Sequence, residues 1–199
     1  MEIKHVHVYG MDESLAYARF PMLPLNKPEI AFQEEAEGKT LGRAKRLGNT
    51  PIGSGHDNFL QGITVVFDVD FTNKVWVQAE RYNWFKIISS MSTVHALTKT
   101  CIDESMFCEW ADKIIINRLI EIQQTYTKNP TKDNLLRLLY SCPAGITVRA
   151  GITTNYRQLK TIYAQRKNHR LPEWRAFCEW IETLPMAELI TGKIKEETK

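Results

Sequence analysis

The chain has 199 residues, 43% of them hydrophobic and 25% charged, with a formal net charge of +3. Those proportions are ordinary for a globular protein, and the length suits one domain with a full core. No apolar run reaches the roughly eighteen residues of a membrane span, and Met1-Glu2-Ile3-Lys4-His5 lacks the apolar stretch of a signal peptide, so a cytoplasmic location is expected.

Cys101, Cys108, Cys142 and Cys178 contain no Cys-x-x-Cys pair. They are expected to be reduced and partly buried, with no metal site. The small net charge argues for no nucleic-acid partner. Basic residues do gather at Arg157, Lys160, Arg166, Lys167, Arg170 and Arg175, a density that suits an anionic small molecule or a solvated helix face.

Residues 3–10 alternate apolar and polar side chains and end on Gly10, which predicts a half-buried strand. A short helix follows, with Asp12 or Ser14 near its cap. Pro21, Pro24 and Pro28 exclude a long regular element through the twenties. Residues 34–47 read as a helix, and 49–58 as a loop punctuated by Pro51, Gly53 and Gly55. The clearest strand is 63–71: Ile63, Val65, Phe67, Val69 and Phe71 point one way, while Thr64, Asp68 and Asp70 point the other. Thr72 or Asn73 caps a helix expected to reach about Ser89, carrying Tyr82 and Lys86. A longer amphipathic helix is predicted over 103–126, with Phe107, Trp110, Ala111, Ile114 and Ile122 on its apolar side. Thr131 caps another that ends before Cys142-Pro143. Residues 145–153 form a second strand, Thr154 or Asn155 caps a helix to about Asn168, and Pro172 opens a last one through Glu182. The five tryptophans are expected to pack in the core or at an interface. These elements make a single α+β unit over 1–199.

Three blocks in order resemble the flavin-dependent thymidylate synthases. Gly55-His56-Asp57-Asn58-Phe59 resembles the family's Gly-His loop leading into a strand, with Gln61 and Gly62 where the family has Glu and a second His. Gln78 and Arg81 fall on the Gln and first Arg of Gln-x-x-Arg-His-Arg, while Tyr82 and Asn83 replace the following His and Arg. Ser92 is the nearest equivalent of the family's phosphate-binding Ser, without the Arg that accompanies it; Lys86 and His95 are candidates to replace that Arg. Thr153-Thr154-Asn155-Tyr156-Arg157-Gln158-Leu159, then Arg166 and Trp174, is similar to the family's Asn-x-Arg-x-Leu…Arg…Trp segment.

The resemblance implies an α+β fold with an antiparallel or mixed sheet flanked by helices. It also implies transfer of a one-carbon unit from methylene-tetrahydrofolate to C5 of a pyrimidine deoxynucleotide, with FAD as cofactor and NADPH as reductant. Carried over by position, His56, Arg81, Asn155, Arg157 and His169 serve the flavin, Gln78, Ser92 and Arg166 the nucleotide, and Arg166 the catalytic step. A homotetramer with sites shared between subunits is implied as well. An Arg facing the uracil carbonyl suits this chemistry, because it stabilises negative charge developing on the ring. At helical spacing, Asn155, Gln158, Ile162, Arg166 and His169 share one face, and the helix start near Thr154 offers N–H groups to an anion. Two alternatives stay open. One keeps fold and flavin but changes the product, for instance to a hydroxymethylated pyrimidine. The other keeps the fold and nucleotide binding but has lost catalysis.

Overall fold

A computed structural model describes residues 1–193. In chain order the elements are β1 (Ile3–Tyr9), α1 (Met11–Tyr17), α2 (Ile30–Ala36), α3 (Leu41–Gly48), β2 (Thr64–Thr72), α4 (Asn73–Ala79), β3 (Lys86–Ser90), α5 (Thr93–Lys99), α6 (Lys113–Lys128), α7 (Lys132–Tyr140), β4 (Thr147–Asn155), α8 (Tyr156–Arg166), α9 (Pro172–Ile181) and α10 (Glu188–Thr191). The strands pair in the order β1-β2-β4-β3, antiparallel, so the protein is α+β as expected. No helix among the described residues is long and apolar enough to cross a membrane.

The chain forms two compact units. The first contains residues 1–4, 68–81 and 87–152. Its apolar centre lies between α6, α7 and the segments around them: Leu97, Phe107, Ile116, Leu119, Ile122, Leu138 and Ile146 are all buried. Full burial of each such side chain stabilises by about 1.5–3 kcal/mol. Trp76 closes one end, its ring 5.1 Å from Phe71 and its indole N–H donating to the Val148 carbonyl at 2.9 Å. The second unit contains, among the described residues, 5–67, 82–86 and 153–193. Its core is aromatic, with Phe67 4.7 Å from Trp180 and 6.0 Å from Phe177, and Trp174 5.9 Å from Phe177. These tilted and edge-on rings bury much apolar area while keeping favourable quadrupole contacts.

Local chemistry explains most boundaries. Gly10 takes φ 72° between β1 and α1, and a Cβ there would stand 2.6 Å from the Gly62 carbonyl oxygen, so only glycine fits. Thr72, Thr131 and Asn155 cap α4, α7 and α8 through their side chains. β1 is more exposed than its alternation predicts, because it lies at the sheet edge.

Three expected helices differ. The one over 34–47 is two helices: Gly38 adopts φ 70°, the Lys39 N–H bonds the Glu34 carbonyl and the Gly38 N–H bonds that of Glu35. This pair of bonds is a left-handed glycine stop, which ends α2. The helix expected to reach Ser89 stops at Ala79. Residues 82–85 turn, and Ile87-Ile88 enter β3, where β-branched side chains suit a pleated edge. The helix expected over 103–126 starts only at Lys113, capped by Asp112, because Phe107 first bridges to Ile146. Trp110 and Ile114 are therefore 76% and 78% exposed rather than apolar-side residues.

The four cysteines are free. Burial pushes the Cys142 thiol up to about 11, and burial followed by the Glu182 charge pushes Cys178 up to about 12. Since the thiolate is the reactive form, a thiol reagent at mildly alkaline pH should label exposed Cys101 first and Cys178 only on unfolding. Mass spectrometry of the labelled peptides checks the order, and native labelling of Cys178 would contradict it.

Candidate functional site

The second unit carries five of the sequence-predicted residues: His56, Asn155, Arg157, Arg166 and His169. Asn155 is buried and spends its side-chain oxygen on the Gln158 N–H at 2.9 Å, while the Tyr156 N–H donates to the Ile63 carbonyl at 3.0 Å. The start of α8 is thus largely satisfied internally, contrary to the expectation that its N–H groups face an anion. Ile162, expected on the polar face, is fully buried. The half-exposed side chains left on that face are Gln158, Arg166 and, past the end of α8, His169.

Below His56 lies a charge cluster that the sequence did not single out. Asp57 is 1% exposed and receives the Lys160 ammonium at 2.8 Å and the Arg157 Nε at 3.2 Å. Lys160, itself buried, also donates to the Thr50 carbonyl at 2.6 Å. One carboxylate between two cations leaves one positive charge in excess. That excess belongs to Arg157, whose side chain is 33% accessible while that of Lys160 is 9%. His56 sits exposed beside the cluster, between Gly55 and Asp57. The only sequence signal for Asp57 was its place directly after His56.

Farther along α8, Arg166 Nε donates to the Tyr82 hydroxyl at 2.7 Å, and that hydroxyl donates on to Gln165 at 3.0 Å. The guanidinium centre lies 4.9 Å from the centre of the Trp174 ring and 5.5 Å from that of Tyr82. Such stacking suits a delocalised cation. Trp84, whose backbone N–H bonds the Gln158 side chain at 3.2 Å, presents a largely exposed indole from the same segment.

Of the remaining basic residues, Arg175 has a structural role. Arg175 donates to the His169 and Arg170 carbonyls at 2.7 and 3.0 Å, tying the turn between α8 and α9. His169 accepts the Leu171 N–H through Nδ1 at 3.2 Å. Burial, then the charges of Arg166, Arg170 and Arg175, hold its protonation below the usual histidine range. A folded-state value below the unfolded one favours folding above the unfolded pKa of about 6.5, and this contribution is lost as pH falls below that. Stability should therefore decline as pH falls below about 6.5. His169→Gln should flatten that part of the profile in denaturant titrations, and an unchanged slope would assign it to other groups.

Gln78, Arg81 and Ser92 belong to the first unit. Gln78 is half-buried on α4 and Arg81 is exposed just beyond it. The Ser92 hydroxyl caps α5, accepting the His95 N–H at 3.3 Å. It also borders a cavity of about 360 Å³ whose wall includes Asp70, Met91, Thr147 and Arg149. Arg149 lies 2.8 Å from Asp68, 3.3 Å from Asp70 and 3.1 Å from Glu2. With Lys4 on Glu2 at 2.8 Å, the cluster holds three carboxylates and two cations, so the Arg149 charge is already compensated and does not replace the missing phosphate-binding arginine there. Lys86 and His95 are both exposed, in β3 and α5. Position 62 has no room for the family's second histidine, since the buried Ser14 side chain occupies the space a Cβ would need.

The fold is that of the flavin-dependent thymidylate synthases. One similar structure is the Helicobacter pylori enzyme ThyX complexed with FAD and dUMP, at TM-score 0.72 and 14% identity, covering 96% of this chain and 97% of that one. A second structure of ThyX from the same organism, also with FAD and dUMP, gives TM-score 0.72 at 16% identity over the same shares. No protein-family model matches the sequence, and no curated protein matches it.

Proposed function

We propose that the protein binds FAD and a pyrimidine deoxynucleotide, and transfers a one-carbon unit from methylene-tetrahydrofolate to C5 of that nucleotide, with NADPH as reductant. The observation that carries this proposal is Arg166, a guanidinium braced by Tyr82 and Trp174, in a fold whose solved examples hold FAD and dUMP. Arg166 contacts the pyrimidine carbonyl and stabilises negative charge on the ring, which is the protein's main electrostatic contribution. The excess positive charge at Arg157 and the neighbouring His56 suit the anionic flavin cofactor, with Asn155 and His169 at the two ends of α8; Arg81, in the first unit, is assigned to the flavin by the resemblance alone. Within the first unit, Gln78 and Ser92 are assigned to the nucleotide by the resemblance alone. When bound, FAD supplies the hydride chemistry, and the side chains orient and polarise.

We also assign a homotetramer. What supports it is the wholly exposed edge strand β3, carrying Ile87 and Ile88 at 42% and 60% exposure, with Met91 and Val94 beyond it. An apolar edge of this kind is a liability unless another chain covers it. Light scattering after gel filtration gives the stoichiometry.

A second reading, nucleotide binding without turnover, is favoured by Asn155 being committed as a cap and by the negative charge around Arg149. The deciding experiment is a visible absorption spectrum after adding FAD and desalting, followed by turnover of dUMP with methylene-tetrahydrofolate and NADPH. Retained flavin with product formation supports the enzyme. Retained ligands without product favour the second reading, and failure to retain either ligand defeats both.

A further inference from the structure

We propose that Tyr82 is a positioning residue that sets the orientation of Arg166 towards the anionic pyrimidine nucleotide. The proposal rests on the assignment of Arg166 as the nucleotide-contacting residue. Tyr82 stands where the resemblance places a histidine, so the device belongs to this chain.

The hydroxyl of a tyrosine has one proton and two lone pairs. Here the proton goes to Gln165 Oε1 at 3.0 Å, which turns a lone pair towards Arg166 Nε at 2.7 Å. Gln165 thereby fixes the direction in which Tyr82 accepts. The phenol is itself immobile: Tyr82 is 7% exposed and its ring stands edge-on to fully buried Trp174, with centroids 6.0 Å apart. Trp174 supports the guanidinium face at 4.9 Å. A hydrogen bond through Nε and a ring under the plane constrain both the position and the tilt of the group.

An arginine on a solvent-facing helix end normally samples many rotamers, and ordering it on binding costs affinity. Holding it beforehand removes that cost and presents the planar fork in one direction. The directional contact is made by the hydroxyl, whereas the ring contributes packing and a face 5.5 Å from the guanidinium centre. Tyr82→Phe separates the two, since it keeps the ring against Trp174 and loses only the oxygen.

The test is dUMP affinity by equilibrium dialysis on FAD-loaded wild type, Y82F, R166A and the double variant, alongside flavin affinity and the thermal midpoint. In Y82F, dUMP should bind about tenfold more weakly, the scale of one charge-assisted hydrogen bond, with flavin affinity and midpoint unchanged. In the R166A background the same exchange should have no further effect, because the hydroxyl acts only through Arg166. Wild-type affinity in Y82F overturns the proposal. So does an equal penalty with and without Arg166, or a joint fall of flavin affinity and midpoint, either of which marks a structural role. Absence of dUMP binding by the wild type instead removes the nucleotide assignment of Arg166, and the positioning role falls with it.

Discussion

Asp57→Asn should destabilise the protein by about 3–5 kcal/mol, measured as a lowered urea midpoint at unchanged slope, because it strands a buried cation. Lys160 is 7% exposed, and its ammonium is held by the Asp57 carboxylate and one backbone carbonyl. The amide keeps one acceptor oxygen but carries no charge and turns its NH2 towards one of the two cations, which leaves the ammonium uncompensated in a low-dielectric site. Replacing both members, as in Asp57→Leu with Lys160→Met, should recover most of the loss, since an apolar pair of similar volume avoids the desolvation penalty. Flavin retention should also fall in the single variant, because the 3.2 Å contact at Arg157 Nε loses the carboxylate charge that anchors it. A shift in stability below about 0.5 kcal/mol, the range of an ordinary surface exchange, would show that water reaches Lys160 and that the cluster is not the structural base of the site.

Arg166→Ala should weaken dUMP binding or turnover by about a hundredfold or more, on the scale of removing one donor from a charge-stabilising site. FAD retention should be nearly unchanged, as the charge at Arg157 is untouched. Arg166→Lys should rescue little. A lysine keeps the charge, but it has no Nε–H to reach the Tyr82 hydroxyl and no planar group to lie over Trp174. Parallel isothermal titrations with dUMP and FAD separate the two ligands. Equal affinity for dUMP in Arg166→Ala and wild type would remove this residue from the site, and loss of FAD would move it to the flavin.

Stretches whose pattern and capping chemistry agree were legible in the sequence. The period-two run from Ile63 to Phe71, the caps at Thr72, Thr131 and Asn155, and the proline at the start of α9 all depend on neighbours a few residues away. The ordered Gly-His, Gln-x-x-Arg and Asn-x-Arg-x-Leu blocks pointed to a fold that the solved structures bear out at 14–16% identity. Where local signals competed, the sequence misled. Helical periodicity continued through residues 80–89, yet pairing with β4 claimed Ile87 and Ile88, and the bridge from Phe107 to Ile146 delayed α6 to Lys113.

The candidate site divides in the same way. The resemblance of the ordered blocks singled out His56, Arg157 and Arg166 as residues to watch. Tertiary structure alone decided that Arg157 is paired with a buried aspartate, and that Arg166 is held by Tyr82, 84 positions away in sequence. It also decided that Asn155 caps a helix from a buried position. The reason is physical. Secondary structure and caps are set over three or four residues, which a sequence displays directly. The availability of a charged side chain depends on burial and on partners brought together by chain folding, which local spacing does not encode.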